Sequence, residues 1–224
     1  MGRSMAEATA DAGASIGLLA RDKAKLQEVQ SELPTEAVVA PADVRNPDEV
    51  KQAVDTVSSS LGSIDVLINN AGTSLKSRKG VQKEVVDVTV QEWRSVMETN
   101  LSGPFFCIKY VVPGMIEQKY GNVINISSGL GRRPEPRWQP YLTSKWGLEG
   151  FTRSIALELE QYNIRVNGLD PGGGVTTWAT EDESPSKKIS PDIMDDTAVE
   201  LAALDEGGPN GKSMSVGEWE QLLD

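Results

Sequence analysis

Tyr141 and Lys145 stand four residues apart in the run YLTSK. On a helix that spacing puts both side chains on one face, one turn apart. A free tyrosine titrates near pH ~10. A neighbouring ammonium favours the phenolate and brings the phenol toward the range useful to a general acid or base. Ser128 closes the run NISS, 13 residues before the tyrosine. Strand ends in parallel α/β sheets face the ligand crevice, so a hydroxyl there can hydrogen-bond a carbonyl or alcohol and stabilise charge as it develops. A Tyr-x-x-x-Lys pair by itself also suits an ordinary amphipathic helix. The chain contains no histidine. That excludes Ser-His-Asp and Cys-His catalysis and any histidine-ligated metal, and no metal site is expected. Acid/base work falls to tyrosine, lysine, a carboxylate or the one cysteine. That residue, Cys107 in PFFCIKY, reads as a small buried hydrophobe.

The elements that must carry these residues alternate between apolar β-branched runs and helical patterns, as in a parallel sheet covered by helices. A helix is predicted from Gly2 to Ala12 and a strand at Ser15–Ala20. Asp22 caps a helix to Glu32, and Ala37–Pro41 is a short strand. A helix follows from Pro47 to Leu61, then the strand Asp65–Asn69. Thr73–Val88 is a polar loop. Thr89 and Glu92 have capping-box spacing and open a helix that continues, with an irregularity at Gly103-Pro104, to Gln118. Asn122–Ile126 is a strand, Gly129–Gln139 a loop, Pro140–Tyr162 a long helix and Ile164–Leu169 a strand. Pro191–Leu204 is a helix and Lys212–Val216 a final strand.

The 224 residues suit one domain. An apolar fraction of 38% with 25% charged residues is that of a globular protein. The net charge of −11 opposes binding to nucleic acid or anionic membranes. No apolar run is long enough to span a bilayer, and the first residues lack a signal-peptide core. A cytoplasmic protein with neither nucleic-acid nor membrane partners is expected.

Taken together, DVLINNAG, METNLSGPFF, GNVINISS, YLTSKWGLEGFTRSIALEL and IRVNGLDPGGGVTT resemble the classical short-chain dehydrogenase/reductase family along nearly the whole chain. The resemblance implies a Rossmann-type, doubly wound parallel sheet in a single domain over residues 1–224, with a short substrate lid at 178–190. It implies an oxidoreductase that interconverts an alcohol and a carbonyl by hydride transfer. Tyr141 would be the acid/base and Ser128 would orient the substrate. Lys145 would lower the tyrosine pKa and bind the nicotinamide ribose, and Asn100 would hold a water in the proton relay. Cofactor contacts would fall on Gly2, Arg21, Asp43, Val44, Asn70, Gly72, Tyr141, Lys145, Gly174 and Thr176. Asn69 reads as structural. Arginine at position 21, just past the strand SIGLLA, suits a 2′-phosphate, so NADP(H) is expected over NAD(H). Pairing of the two long helices with a second copy would give a homodimer or homotetramer.

The resemblance departs from the family at its start. Of the glycine-rich turn only Gly2 matches, and the family's first strand has no counterpart. That strand would lie between Ser15–Ala20 and Asp65–Asn69, so the sheet should either show a gap there or collapse, and cofactor binding should be weak. Two other readings stay open: a catalytically silent interaction module of the same family, and a nucleotide-sugar epimerase or dehydratase of its extended branch. The short chain and the Asn69–Gly72 turn weigh against the second. Trp138 and the Gly129–Pro140 loop should border the pocket. Arg132, Arg133 and Arg137 there suit either an acidic substrate or solvent.

Overall fold

The computed structural model describes residues 1–75, 82–173 and 189–223. Gly174, Thr176 and residues 178–188 of the expected lid lie outside them. The described elements are α1 (Gly2–Asp11), β1 (Ile16–Leu18), α2 (Lys23–Glu32), β2 (Ala37–Val39), α3 (Pro47–Leu61) and β3 (Val66–Asn69). They continue with α4 (Val90–Met97), a π-turn (Glu98–Ser102), α5 (Gly103–Gln118), β4 (Gly121–Ile126), α6 (Gln139–Leu159) and β5 (Ile164–Asp170). The last are α7 (Asp195–Ala202), β6 (Ser213–Ser215) and α8 (Val216–Leu223).

Local chemistry sets several boundaries. Asp22 caps α2 by accepting from the amides of Ala24 and Lys25. Asn46 caps α3, with Pro47 in its first turn. Thr89 and Glu92 close a complete capping box on α4. The irregularity expected at Gly103-Pro104 falls slightly earlier, as the π-turn containing Asn100. Helix α8 was not expected. Its Trp219 is fully buried and donates from Nε1 to the Gly168 carbonyl at 2.9 Å.

All observed strand pairs are parallel, and the sheet is in two parts. β1 pairs with β2, while β3, β4, β5 and β6 form a four-stranded sheet in that order. Among the described residues no ladder joins β1 to β3, the place where the resemblance puts a further strand. Of the two outcomes expected there, the gap is the one observed.

Side-chain alternation along β4 and β5 feeds a core on each face. Ile124, Ile126 and Leu169 pack with Met5 of α1, Met194, Ala198 and Leu201 beside and within α7, and Trp219. Val123, Ile164 and Val166 pack on the opposite face with Ile108, Val111 and Met115 of α5 and Ala156 and Leu159 of α6. This is an α/β, Rossmann-like fold. β4 and β5, buried along their whole length, are the rigid rails on which the chemistry-bearing residues sit.

Candidate active site

Ser128 lies two residues past the end of β4 and caps the short turn Gly129–Gly131, its Oγ accepting from the amide of Leu130 at 3.2 Å. Tyr141 and Lys145 project from the first turns of α6, which Pro140 helps to start. Ser128 lies within hydrogen-bond reach of the Tyr141 hydroxyl. Lys145 Nζ stands 5.7 Å from the Tyr141 ring centroid and donates to the Ile126 carbonyl at 2.6 Å. The residues expected to do the chemistry therefore converge at the C-terminal end of β4.

Asn100 joins them through the π-turn, a form of irregularity often found at functional sites. It is 1% exposed. Its Oδ1 accepts from the Thr73 amide at 2.8 Å, and its Nδ2 donates to the Thr73 carbonyl at 2.9 Å and to Ser144 Oγ at 3.0 Å. Ser144 in turn donates to the Tyr141 carbonyl at 2.6 Å. Asn100 thus ties the segment after β3 to the start of α6.

Electrostatics in the site differ from the simplest expectation. Burial pushes the Tyr141 phenol above its ordinary value; the Ser128 hydrogen bond opposes this and the Asp170 charge adds to it. The net direction is upward, not the lowering anticipated from Lys145, whose ammonium donates to the Ile126 carbonyl. Burial also pulls Lys145 down to about 8, against the opposing charges of Glu149 and Asp170. Cys107 is buried as expected, and its thiol is pushed up to about 11 by that burial.

The expected cofactor contacts are only partly brought together. Gly2 lies against Asn70: a Cβ there would sit 2.5 Å from Asn70 Nδ2. The Asn70 Oδ1 is buried and has no hydrogen-bond partner among the described residues. A Cβ on Gly72 would stand 3.7 Å from Asn100 Oδ1. Val44 packs against Gly103, at 3.0 Å from a Cβ built there. The Asp43 carboxylate is taken up by Arg45, with bonds from its amide and guanidinium that hold the acid below the usual range. Arg21 is exposed at the end of β1. Asn69 is structural, though through a side chain rather than backbone: its Nδ2 donates to Asn125 Oδ1 at 2.9 Å.

Comparison with known proteins shows the family to which this fold belongs. The family model described as short chain dehydrogenase matches residues 1–187. The chain belongs to that family. It is 32% identical over 220 residues to an NADPH-dependent pterin aldehyde reductase of Arabidopsis thaliana, covering 96% of this chain and 88% of the relative. It is 38% identical over 196 residues to a 3-oxoacyl-[acyl-carrier-protein] reductase of Staphylococcus aureus, covering 85% and 77%. Among solved structures it is similar to the 3-oxoacyl-[acyl-carrier protein] reductase of Brucella melitensis, with a TM-score of 0.87, 30% identity and coverage of 96% and 85%. It is also similar to a metagenomic short-chain oxidoreductase in complex with NADP, with a TM-score of 0.82, 29% identity and coverage of 96% and 90%.

Sequence reasoning for this dehydrogenase did not single out a cluster behind the site. Arg132 reaches both Glu149 and Asp170, so it is not held out to solvent. Arg137 pairs with Glu84 at 2.7 Å. The signal that could have revealed the cluster was a glutamate one turn beyond Lys145 on a helix face expected to be buried.

Proposed function

We propose that this chain is an NADP(H)-dependent oxidoreductase that reduces a small-molecule carbonyl to an alcohol. The observation that carries the reading is the convergence of Ser128, Tyr141 and Lys145 at the end of β4. The relatives named for NADPH or bound to NADP support the cofactor. So does the chemistry of the groups there: Asn70 Oδ1, a buried acceptor with no partner among the described residues, close to Gly2; the donors of the α1 N-terminus, which has no side-chain cap; and Arg21 on the surface past the end of β1. Gly2 and Asn70 would hold the phosphate and nicotinamide sides, Arg21 the 2′-phosphate, and Lys145 and Tyr141 the nicotinamide ribose. Gly72, Val44 and Asp43 would line the rest. Gly174 and Thr176 remain expected contacts outside the described residues.

Held by these residues, NADPH would supply the hydride for reduction of the carbonyl carbon. Ser128 Oγ donates a hydrogen bond to the carbonyl oxygen and orients it. Tyr141 hands its proton to that oxygen as negative charge develops. Burial keeps the phenol protonated at neutral pH, so it has a proton to give to the carbonyl oxygen. Asn100, fixed by Thr73 and Ser144, holds the water that returns a proton to the site. The half-buried loop Gly129–Trp138 borders the substrate.

Trp93, Phe105 and Trp146 are 38%, 45% and 48% exposed on α4, α5 and α6. They support a homo-oligomer joined through these helices; a cytoplasmic location is part of the same proposal, and no described helix is long and apolar enough to cross a membrane. The experiment that tests the function is NADPH oxidation by the purified chain with a panel of aldehydes and ketones. Turnover that requires the carbonyl supports it; none with any of them contradicts it. The divided sheet favours a second reading, a catalytically silent interaction module, which predicts no NADPH binding in a fluorescence titration.

A further inference from the structure

Arg132, in the loop that carries Ser128, reaches two buried carboxylates at the rear of the site. Arg132 Nη1 pairs with Glu149 Oε1 at 3.0 Å, and its Nη2 with Asp170. Glu149 lies one turn beyond Lys145 on α6 and its side chain is 6% exposed; Asp170 ends β5 and is 2% exposed. Glu149 Oε1 also accepts from Ser127, the residue before Ser128, and from Ser213 of β6 at 2.8 Å. Asp170 Oδ1 accepts from the Gly172 amide at 2.7 Å, which shapes the turn after β5. The loop fits tightly: a Cβ on Gly131 would stand 3.0 Å from Glu149 Cγ and 3.1 Å from the Lys145 carbonyl. Four elements that supply or flank the site thus meet at one carboxylate.

Burying two carboxylates is costly unless cations and donors compensate them. Arg132 does so by direct pairing, and Lys145, one turn before Glu149 on α6, feels both charges. Among the described residues Lys145 itself donates only to a neutral carbonyl, that of Ile126. Its charge is therefore sustained at a distance.

We propose that Glu149 and Asp170, held by Arg132, are positioning residues that set the place and charge of the Lys145 ammonium and lock the Ser128 loop onto α6. The role in turnover rests on the oxidoreductase reading above; the coupling among the four charges does not. Lys145 is faced by Tyr141 and Glu149 on α6, by Asp170 on β5, and by the Ile126 carbonyl on β4. Arg132 faces the carboxylates from the loop. Arg153 approaches Glu149 Oε2 at 3.7 Å, and Glu218 of α8 acts on Arg132 from farther out. Both carboxylates oppose the loss of the Lys145 proton.

The test is a pH titration of the protein with 13C-labelled lysine followed by NMR, with Lys145→Met to assign the signal. Glu149→Gln and Asp170→Asn keep shape and remove one negative charge each. Each should move the Lys145 midpoint down from about 8 by roughly half a unit or more. Arg132→Met should move it up. If NADPH turnover is measurable, the alkaline limb of its pH profile should follow the same order. Shifts in the expected order without any turnover would leave this coupling standing and remove the function. An unmoved Lys145 midpoint in both isosteric variants would overturn the proposal. Unfolding of both at neutral pH would also overturn it, in favour of a purely structural role.

Discussion

Lys145 Nζ stands 5.7 Å from the Tyr141 ring and points at the Ile126 carbonyl, not at the phenolic oxygen. The pair is close enough to couple, yet each residue pays for its own burial: the phenol rises and the ammonium falls to about 8. Both groups are then protonated below about pH 8, as the proposed role of Tyr141 requires.

A stability consequence follows from the lysine. Its value is lower in the folded protein than the ordinary ~10.5 of an unfolded chain. Between about pH 8 and ~10.5 the unfolded chain binds more protons than the folded one, so wild-type stability rises with pH relative to a variant without the group. Lys145→Met should abolish this rise. Urea unfolding midpoints at several pH values check it. A wild-type-minus-variant difference that stays flat from pH 7 to 10 would contradict the burial.

Cofactor choice should depend on Arg21. Its guanidinium is exposed at the end of β1 and feels the Asp43 charge. Arg21→Ala should weaken NADPH by roughly tenfold or more and leave NADH nearly unchanged. Fluorescence titrations with both cofactors measure this. Equal weakening of the two would mean that Arg21 does not read the 2′-phosphate.

The divided sheet should be visible in solution. β4 is paired on both edges, with β3 and β5, whereas β3 has a ladder on one edge only among the described residues. Amides unpaired by a ladder open more readily to exchange. Hydrogen exchange should therefore be faster in peptides spanning 65–69 than in those spanning 121–126. Equal protection of both would show that the slot beside β3 is filled.

The proposed assembly would use the exposed apolar residues Trp93, Phe105 and Trp146 on α4, α5 and α6. Light scattering at micromolar concentration should give a dimer or tetramer, and Trp146→Glu should shift it toward monomer by placing a charge in the interface. A monomer in the unchanged protein would contradict this arrangement.

Much of this architecture is legible in the residues themselves. The capping box at Thr89 and Glu92, the Asp22 cap and the long helix begun by Pro140 are local signals, and each stands where expected. The grouping of Ser128, Tyr141 and Lys145 is legible because a strand end and a one-turn helix spacing leave little freedom. What escaped has a common cause: it depends on partners far apart in the chain. Helix α8 has apolar residues at Val216, Trp219 and Leu223, a helical spacing, but the run is short and its burial depends on Gly168. The direction of the Tyr141 shift depends on how deeply the site is desolvated, which spacing alone does not reveal. The Arg132 cluster spans residues 132, 149 and 170, so the loop arginines looked free to meet solvent or substrate.

The acid role of Tyr141 is the claim on which the whole account turns. Carbonyl-dependent NADPH oxidation should be compared in the wild type and in Tyr141→Phe, which removes only the hydroxyl, alongside NADPH titrations of both. The account predicts a loss of turnover on the order of a hundredfold or more with cofactor affinity nearly unchanged. Near-normal turnover in the phenylalanine variant would contradict it.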